Sequence, residues 1–325
     1  MTLHRYILRP LSAWITPLRS DTLSGLLLYR LAEDEGESAL HKEIEEFLQG
    51  RPPFALSSAM PQGMIFAPRL APLPRIAFAS LIRKGCFTTA SRKPLSLFEA
   101  LNLYKTFRKK RYLPLAIWEK HASSLSVDKL FAEFCQSPQL WETPVQHTFQ
   151  EMHVTIARNS NTALEGGLFP TQAFWPAPQM AFHLYADTED GPRLLDRLKR
   201  IGMLGFGKDS STGKGVFAIE EDTGFVPPRA GQLPHGLLLS MLASEDMSGM
   251  KGWYSMEVKT GKVGPAFSRG NPYKSPFLCV QEGAVLKSLP RGPFVLRGLN
   301  ANPDIVQITQ PLCLPCRMDE EVNYA

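Results

Sequence analysis

The stretch Gly205-Phe206-Gly207-Lys208-Asp209-Ser210-Ser211-Thr212-Gly213-Lys214-Gly215 gathers four glycines, two lysines and three hydroxyl side chains into eleven residues. Ammonium groups, hydroxyls and backbone N–H groups exposed by glycines at positive φ are the donors that receive phosphate oxygens, so its chemistry is anion binding. A nucleotide P-loop needs four residues between its first glycine and its Gly-Lys pair, then a hydroxyl residue to hold magnesium. Here five residues separate Gly207 from Gly213, and Gly215 follows Lys214, which excludes that reading. The dinucleotide fingerprint needs glycine where Ser210 stands and opens a helix after a strand, whereas this stretch is expected to follow a helix and open a strand. A phosphate-receiving loop remains, beside the plainer reading of a flexible connection.

Other groupings carry less. Cys313-Leu314-Pro315-Cys316 has the spacing of half a zinc site, but no second pair or close histidine follows. His153 and His183 fall in alternating strand patterns, where a packed histidine is commoner than a general base. Asp187, Glu189 and Asp190 sit at an expected helix start, which favours carboxylates. Trp253 and Tyr254 are expected in a core or an interface. The Asp209 carboxylate is expected to bond neighbouring backbone N–H groups and shape its turn. No complete ligand set or catalytic constellation emerges, so no catalytic residue, cofactor or metal is expected.

The elements that must position the loop follow from the patterning. A strand is expected over residues 3–9, then a helix to about residue 31 capped from Ser20-Asp21-Thr22. Prolines 52, 53, 61, 68, 72 and 74 break up the next segment. Ser96-Leu97-Phe98-Glu99 is a capping box; Phe98, Leu101 and Tyr104 are expected on one face of its helix and Lys105, Arg108 and Lys109 on the other. A short helix at 127–135, a strand over 146–157 and a loop at Arg158-Asn159-Ser160-Asn161 follow. Then come a strand at 179–186, a helix at 189–201 opened by Thr188, the glycine-rich loop and a strand at 216–221. A boundary near residue 145 divides the chain into 1–145 and 146–325, each half an α+β unit of the ferredoxin-like (RRM-like) kind.

Composition limits the class. The 325 residues are 44% hydrophobic and 21% charged, as in a globular chain with room for two domains. No apolar run reaches the roughly 18–20 residues of a membrane helix, no secretory leader is read at the start, and five scattered cysteines suit a reducing compartment, so a cytoplasmic location without membrane contact is expected. Charge is uneven: residues 1–150 hold 19 Lys+Arg against 13 Asp+Glu, while Arg83–Arg111 holds nine basic residues and the single acid Glu99. Such a field attracts polyanions or simply keeps a face soluble.

Five runs occur in order: Thr16-Pro17-Leu18-Arg19-Ser20-Asp21-Thr22-Leu23-Ser24-Gly25, Leu56-Ser57-Ser58-Ala59-Met60-Pro61, Lys109-Lys110-Arg111-Tyr112-Leu113-Pro114-Leu115, the glycine-rich loop, and Tyr273-Lys274-Ser275-Pro276-Phe277 with Glu282-Gly283. With them the chain resembles the RAMP superfamily of CRISPR RNA-binding proteins, and within it subunit four of the type III-A (Csm) effector complex. The resemblance implies two ferredoxin-like domains, the second bearing the loop, and a non-catalytic role in antiviral defence. It further implies that the chain binds the 5′ handle of the crRNA, bridges the large polymerase-like subunit to the backbone RAMP subunit, and meets target RNA only indirectly. Handle binding is thereby expected of Arg19, Ser20, Gly205, Gly207, Lys208, Ser210, Ser211, Thr212, Gly213, Lys214 and Gly215, with Arg158 and Asn159 added. The alternatives are the equivalent type III-B subunit and a crRNA-processing endoribonuclease of the same superfamily. In the latter group the loop usually lies near the C-terminus, whereas here 110 residues follow Gly215.

Overall fold

The computed structural model describes residues 2–143, 147–177, 179–228, 233–264 and 271–319. The chain is α+β, built from helices and antiparallel sheets. It opens with β1 (Thr2–Pro10), α1 (Ser20–Glu35), α2 (Glu37–Leu48) and β2 (Phe54–Leu56). Next come β3 (Met60–Pro61), β4 (Met64–Phe66), α3 (Arg75–Arg83), α4 (Leu97–Phe107), β5 (Tyr112–Pro114), α5 (Leu115–His121) and α6 (Val127–Gln136), closed by a 3-10 turn at Pro138–Trp141. A long hairpin of β6 (His147–Ile156) and β7 (Ala163–Trp175) precedes β8 (Phe182–Thr188), α7 (Gly191–Leu204) and β9 (Phe217–Glu221). The remainder comprises β10 (His235–Leu238), β11 (Lys251–Trp253), β12 (Met256–Lys259), β13 (Phe277–Val280), β14 (Val285–Ser288), β15 (Val295–Leu296), β16 (Gln307–Ile308) and β17 (Cys313–Cys316).

The main sheet runs β2-β8-β1-β9, with β3 also pairing β8. In β1, Tyr6 lies opposite Leu184 on one side and Glu221 on the other. Period-two alternation sends Tyr6, Leu8, Leu184 and Ala186 to one face, where they pack with Leu23 and Leu27 of α1 and Leu194, Leu198 and Ile201 of α7. Tyr185 and Ala55 belong to a second core, shared with α4–α6 and with Leu237, Val285 and Leu314 of the C-terminal strands. The sheet is therefore covered on both faces.

This pairing overrides the expected division at residue 145. Strands β1 and β2 lie before it, yet β8 and β9 complete their sheet, because the backbone N–H and C=O groups along both edges of β1 need partners. The glycine-rich loop thus belongs to the sheet begun by β1. From residue 233 onward the described residues form strands and no helix, so the 146–325 half does not assemble a helix-bearing unit of its own.

Local details also differ. Ser96 and Glu99 form the capping box, with Ser96 N–H donating to Glu99 Oε2 at 2.9 Å and Glu99 N–H to Ser96 Oγ at 3.4 Å. The buried stripe of α4, however, is Ala100, Leu103, Tyr104 and Phe107, while Phe98 is 75% and Leu101 40% exposed. Helix α7 is capped by Asp190, whose Oδ1 accepts Arg193 N–H at 3.0 Å; Thr188 Oγ1 accepts Asp190 N–H at 3.2 Å just before the helix and donates to the Pro53 carbonyl.

Candidate nucleic-acid interface

The glycine-rich loop joins α7 to β9. Gly205, Gly207, Gly213 and Gly215 all have positive φ. Phe206 anchors the loop in the core, and its N–H donates to the Gly215 carbonyl at 3.0 Å, closing a neck; Gly215 N–H donates to Ala13 O at 2.8 Å. A Cβ on Gly215 would lie 2.1 Å from Phe206 O and one on Gly207 2.4 Å from Thr16 Cβ, whereas Gly213 faces open space. Ser210–Thr212 form a 3-10 turn between left-handed Asp209 and Gly213. The turn is held by the Asp209 carbonyl, which accepts Thr212 N–H at 3.0 Å, Lys214 N–H at 3.3 Å and Thr212 Oγ at 2.8 Å. The expected carboxylate is not the group that shapes it, since Asp209 makes no side-chain cap bond to this turn.

Both loop lysines reach the hairpin. Lys208 Nζ donates to Thr171 Oγ1 at 3.3 Å and Lys214 Nζ to Glu151 Oε1 at 2.6 Å; Glu151 and Thr171 are cross-strand partners. The Lys214 bond is the main reason the Glu151 carboxyl sits below its ordinary range. Lys208 N–H also donates to Thr16 Oγ1 at 2.9 Å. Loop, Ala13–Thr16 segment and hairpin base are thereby brought together, with Lys208, Ser211, Thr212 and Gly213 exposed. Arg158 and Asn159 are exposed at the hairpin's turn, roughly 20 Å along the strand from Glu151 at about 3.3 Å per residue. The structure does not bring them to the loop.

The hairpin's surface was not foreseen. Met152, Val154, Ile156, Leu164, Leu168 and Phe169 are 44–62% exposed, so the strand expected over 146–157, of which residue 146 lies outside the described residues, belongs to a projecting ribbon. The second strand, with Gly166, Gly167 and Pro170, carried no clear signal.

Arg19 and Ser20 are internal. Arg19 Nε and Nη2 donate to Glu282 at 3.2 and 3.0 Å, and its Nη1 pairs with Glu257. Ser58 Oγ donates to Glu282 Oε1 at 2.5 Å and accepts Ser20 N–H at 3.0 Å, while Ser20 Oγ accepts Met241 N–H at 2.8 Å. Burial alone would raise the Glu282 pKa, but the Arg19 charge and hydrogen bonds hold it below the ordinary value. These residues join the main sheet's unit to the C-terminal strands, with Ser20 buried and Arg19 partly buried.

Among the remaining groups, Cys313 and Cys316 lie in β17 with thiols pushed up to about 12 by burial, and no group of metal-ligating side chains occurs among the described residues. His183 is buried, which with Arg5 lowers it to about 4, so it is neutral at pH 7. Trp253 and Tyr254 are 42% and 41% exposed rather than in a core. Arg83, Lys84, Arg92, Lys93, Lys105, Arg108, Lys109 and Arg111 are all exposed, as the charge pattern suggests. No helix among the described residues is long and apolar enough to cross a membrane.

An α+β chain with a two-sided antiparallel main sheet, a helical insertion and a loop held against a projecting hairpin is a fold with solved counterparts. It is similar, at TM-score 0.57 and 15% identity over 98% of this chain and 100% of that chain, to a chain of the Csm1–Csm4 cassette in complex with cA4. It is also similar, at TM-score 0.52 and 16% identity over 96% of this chain and 99% of the other, to a chain of the Csm3–Csm4 subcomplex of the type III-A CRISPR-Cas interference complex. Csm4 is the component common to both, so the likeness to subunit four holds at the level of the fold, over nearly the whole chain. No family model matches the chain, and no curated protein matches it in sequence.

Proposed function

We propose that the chain is the Csm4-like subunit of a type III CRISPR RNA-guided effector complex. In this reading it holds the 5′ handle of the crRNA at the glycine-rich loop and bridges the large polymerase-like subunit to the backbone RAMP subunit without catalysing a reaction. The observation that carries the reading is the end-to-end likeness to chains of Csm1–Csm4 and Csm3–Csm4 assemblies. The main sheet, in chain order β1-α1-β2 and β8-α7-β9 with spatial order β2-β8-β1-β9, reads as a ferredoxin-like unit whose middle connection is expanded. Its loop offers exposed Lys208, Ser211, Thr212 and the open Gly213 backbone, which suit a single strand gripped by its phosphates and 2′-hydroxyls.

Co-expression of a tagged copy with the other subunits, followed by sequencing of retained RNA, tests the assignment: repeat-derived 5′ ends should be enriched. Their absence from an intact complex would overturn it. Cleavage of repeat RNA by the pure protein would favour the endoribonuclease instead.

The pairing of Lys214 with Glu151 supplies a sharper test of the loop. Replacing Lys208 and Lys214 with alanine should weaken handle-RNA binding and flatten its logarithmic salt dependence by about 0.7 for each phosphate that the loop no longer neutralises. Glu151→Gln should do the reverse and tighten binding, because it frees the Lys214 ammonium from a competing carboxylate. Unchanged titrations for both variants would remove the loop from the RNA site.

A further inference from the structure

A cluster of cationic side chains surrounds a small cavity beside α4 and α6. A cavity of about 30 Å³ opens between residues 67–70, the end of α4, and α6, with Arg69, Arg108, Lys110 and Trp141 among its walls. That is about twice the space one water needs, room for one or two ligand oxygens and not for a base or sugar. Three cations line it, of which Lys110 is already paired with Glu142 at its rim while Arg69 and Arg108 face no carboxylate among the lining residues. Lys110 is tethered to Glu142 at 2.8 Å and Arg108 donates to the Leu70 carbonyl at 3.2 Å, which fixes both side chains at the rim.

Two donors in these walls are unmatched. Trp141 is only 2% exposed, and its indole Nε1 is buried without a hydrogen-bond partner. Arg69 Nε is likewise buried and unpartnered. Buried donors are almost always satisfied in native proteins, so two orphans at one cationic cavity point to an acceptor that belongs there. Arg69 is held below the ordinary guanidinium range by burial and then by the like charges of Arg108 and Arg111. A negative group would relieve that crowding.

We propose that this cavity binds a phosphate group, with Arg69 Nε and Trp141 Nε1 as directional donors and Arg108 and Lys110 supplying charge. The ligand is inorganic phosphate or a terminal or bridging phosphate of a nucleotide or RNA. The site shares no residue with the glycine-rich loop and stands whether or not the loop binds a handle.

The test uses the full chain and the ¹H–¹⁵N signals of its five tryptophan indoles, with Trp141 assigned by Trp141→Phe. Inorganic phosphate should move the Trp141 signal saturably, and potassium chloride at equal ionic strength should not. Arg69→Gln should weaken the response about tenfold, the loss of one charge-assisted hydrogen bond. The Lys208→Ala, Lys214→Ala protein should respond like the parent, so failure of the loop reading and failure of this site are told apart. Short RNAs bearing a 5′-phosphate or a 5′-hydroxyl assign the source. A response only to the phosphorylated form marks a terminal phosphate, equal responses mark the backbone, and a response to inorganic phosphate alone marks the free ion. A Trp141 signal that ignores phosphate, follows chloride equally, or responds undiminished in Arg69→Gln overturns the proposal.

Discussion

Replacing Glu282 with alanine should lower the stability of the chain by about 3–5 kcal/mol, measured by urea unfolding at neutral pH. The side chain is 3% exposed and accepts from Arg19 and Ser58, so its removal leaves a buried guanidinium with only Glu257 opposite. The pH dependence has a definite sign. The folded pKa of Glu282 lies below its ordinary value, so its charge stabilises fully above the unfolded pKa and that contribution is lost as the pH falls through the folded value. The stability gap between the parent and Glu282→Gln should therefore be widest near neutrality and should shrink below roughly pH 4. A gap that persists undiminished into acid would mean that shape, not charge, makes the junction.

Gly215→Ala should be the most damaging change in the loop. Its backbone has φ +72°, which costs an alanine about 1–2 kcal/mol, and the new Cβ would stand 2.1 Å from Phe206 O and 2.6 Å from Phe206 N. Both atoms belong to the backbone that closes the loop's neck, so relief requires opening it. Gly213→Ala provides the comparison, with φ +85° but no atom within 4 Å of the added methyl. The first variant should unfold several degrees earlier and lose handle-RNA binding, whereas the second should bear only the conformational cost and keep binding. Equal losses would mean that the close approach at the neck is not what requires glycine.

The strands and helices with clean periodicity were legible: β1 and α7 lie within a few residues of their expected limits, and the four glycines of the loop do occupy positive φ. Helix α2 was not among the elements expected from the sequence; its Glu43 is buried against Arg197. The domain division failed for a longer-range reason. The backbone of β1 needs a hydrogen-bonding neighbour on each edge, but nothing in residues 2–10 says they lie beyond residue 181. The five ordered motifs proved to meet one another: Arg19, Ser58 and Glu282 share one network, Arg111 lies 3.9 Å from Glu282, and Lys208 N–H of the loop donates to Thr16. Their residue types were recognisable, and their pairing with one another was visible only in three dimensions.

The order of the main sheet also governs how the chain can be made. Strand β1 leaves the ribosome first, yet both of its neighbours, β8 and β9, emerge after the entire helical insertion and hairpin. At about 5–20 residues per second the nascent β1 waits roughly ten to forty seconds with two open edges. During that interval α4–α6 can condense, whereas the sheet cannot. The main sheet can therefore close only once the chain reaches residue 221.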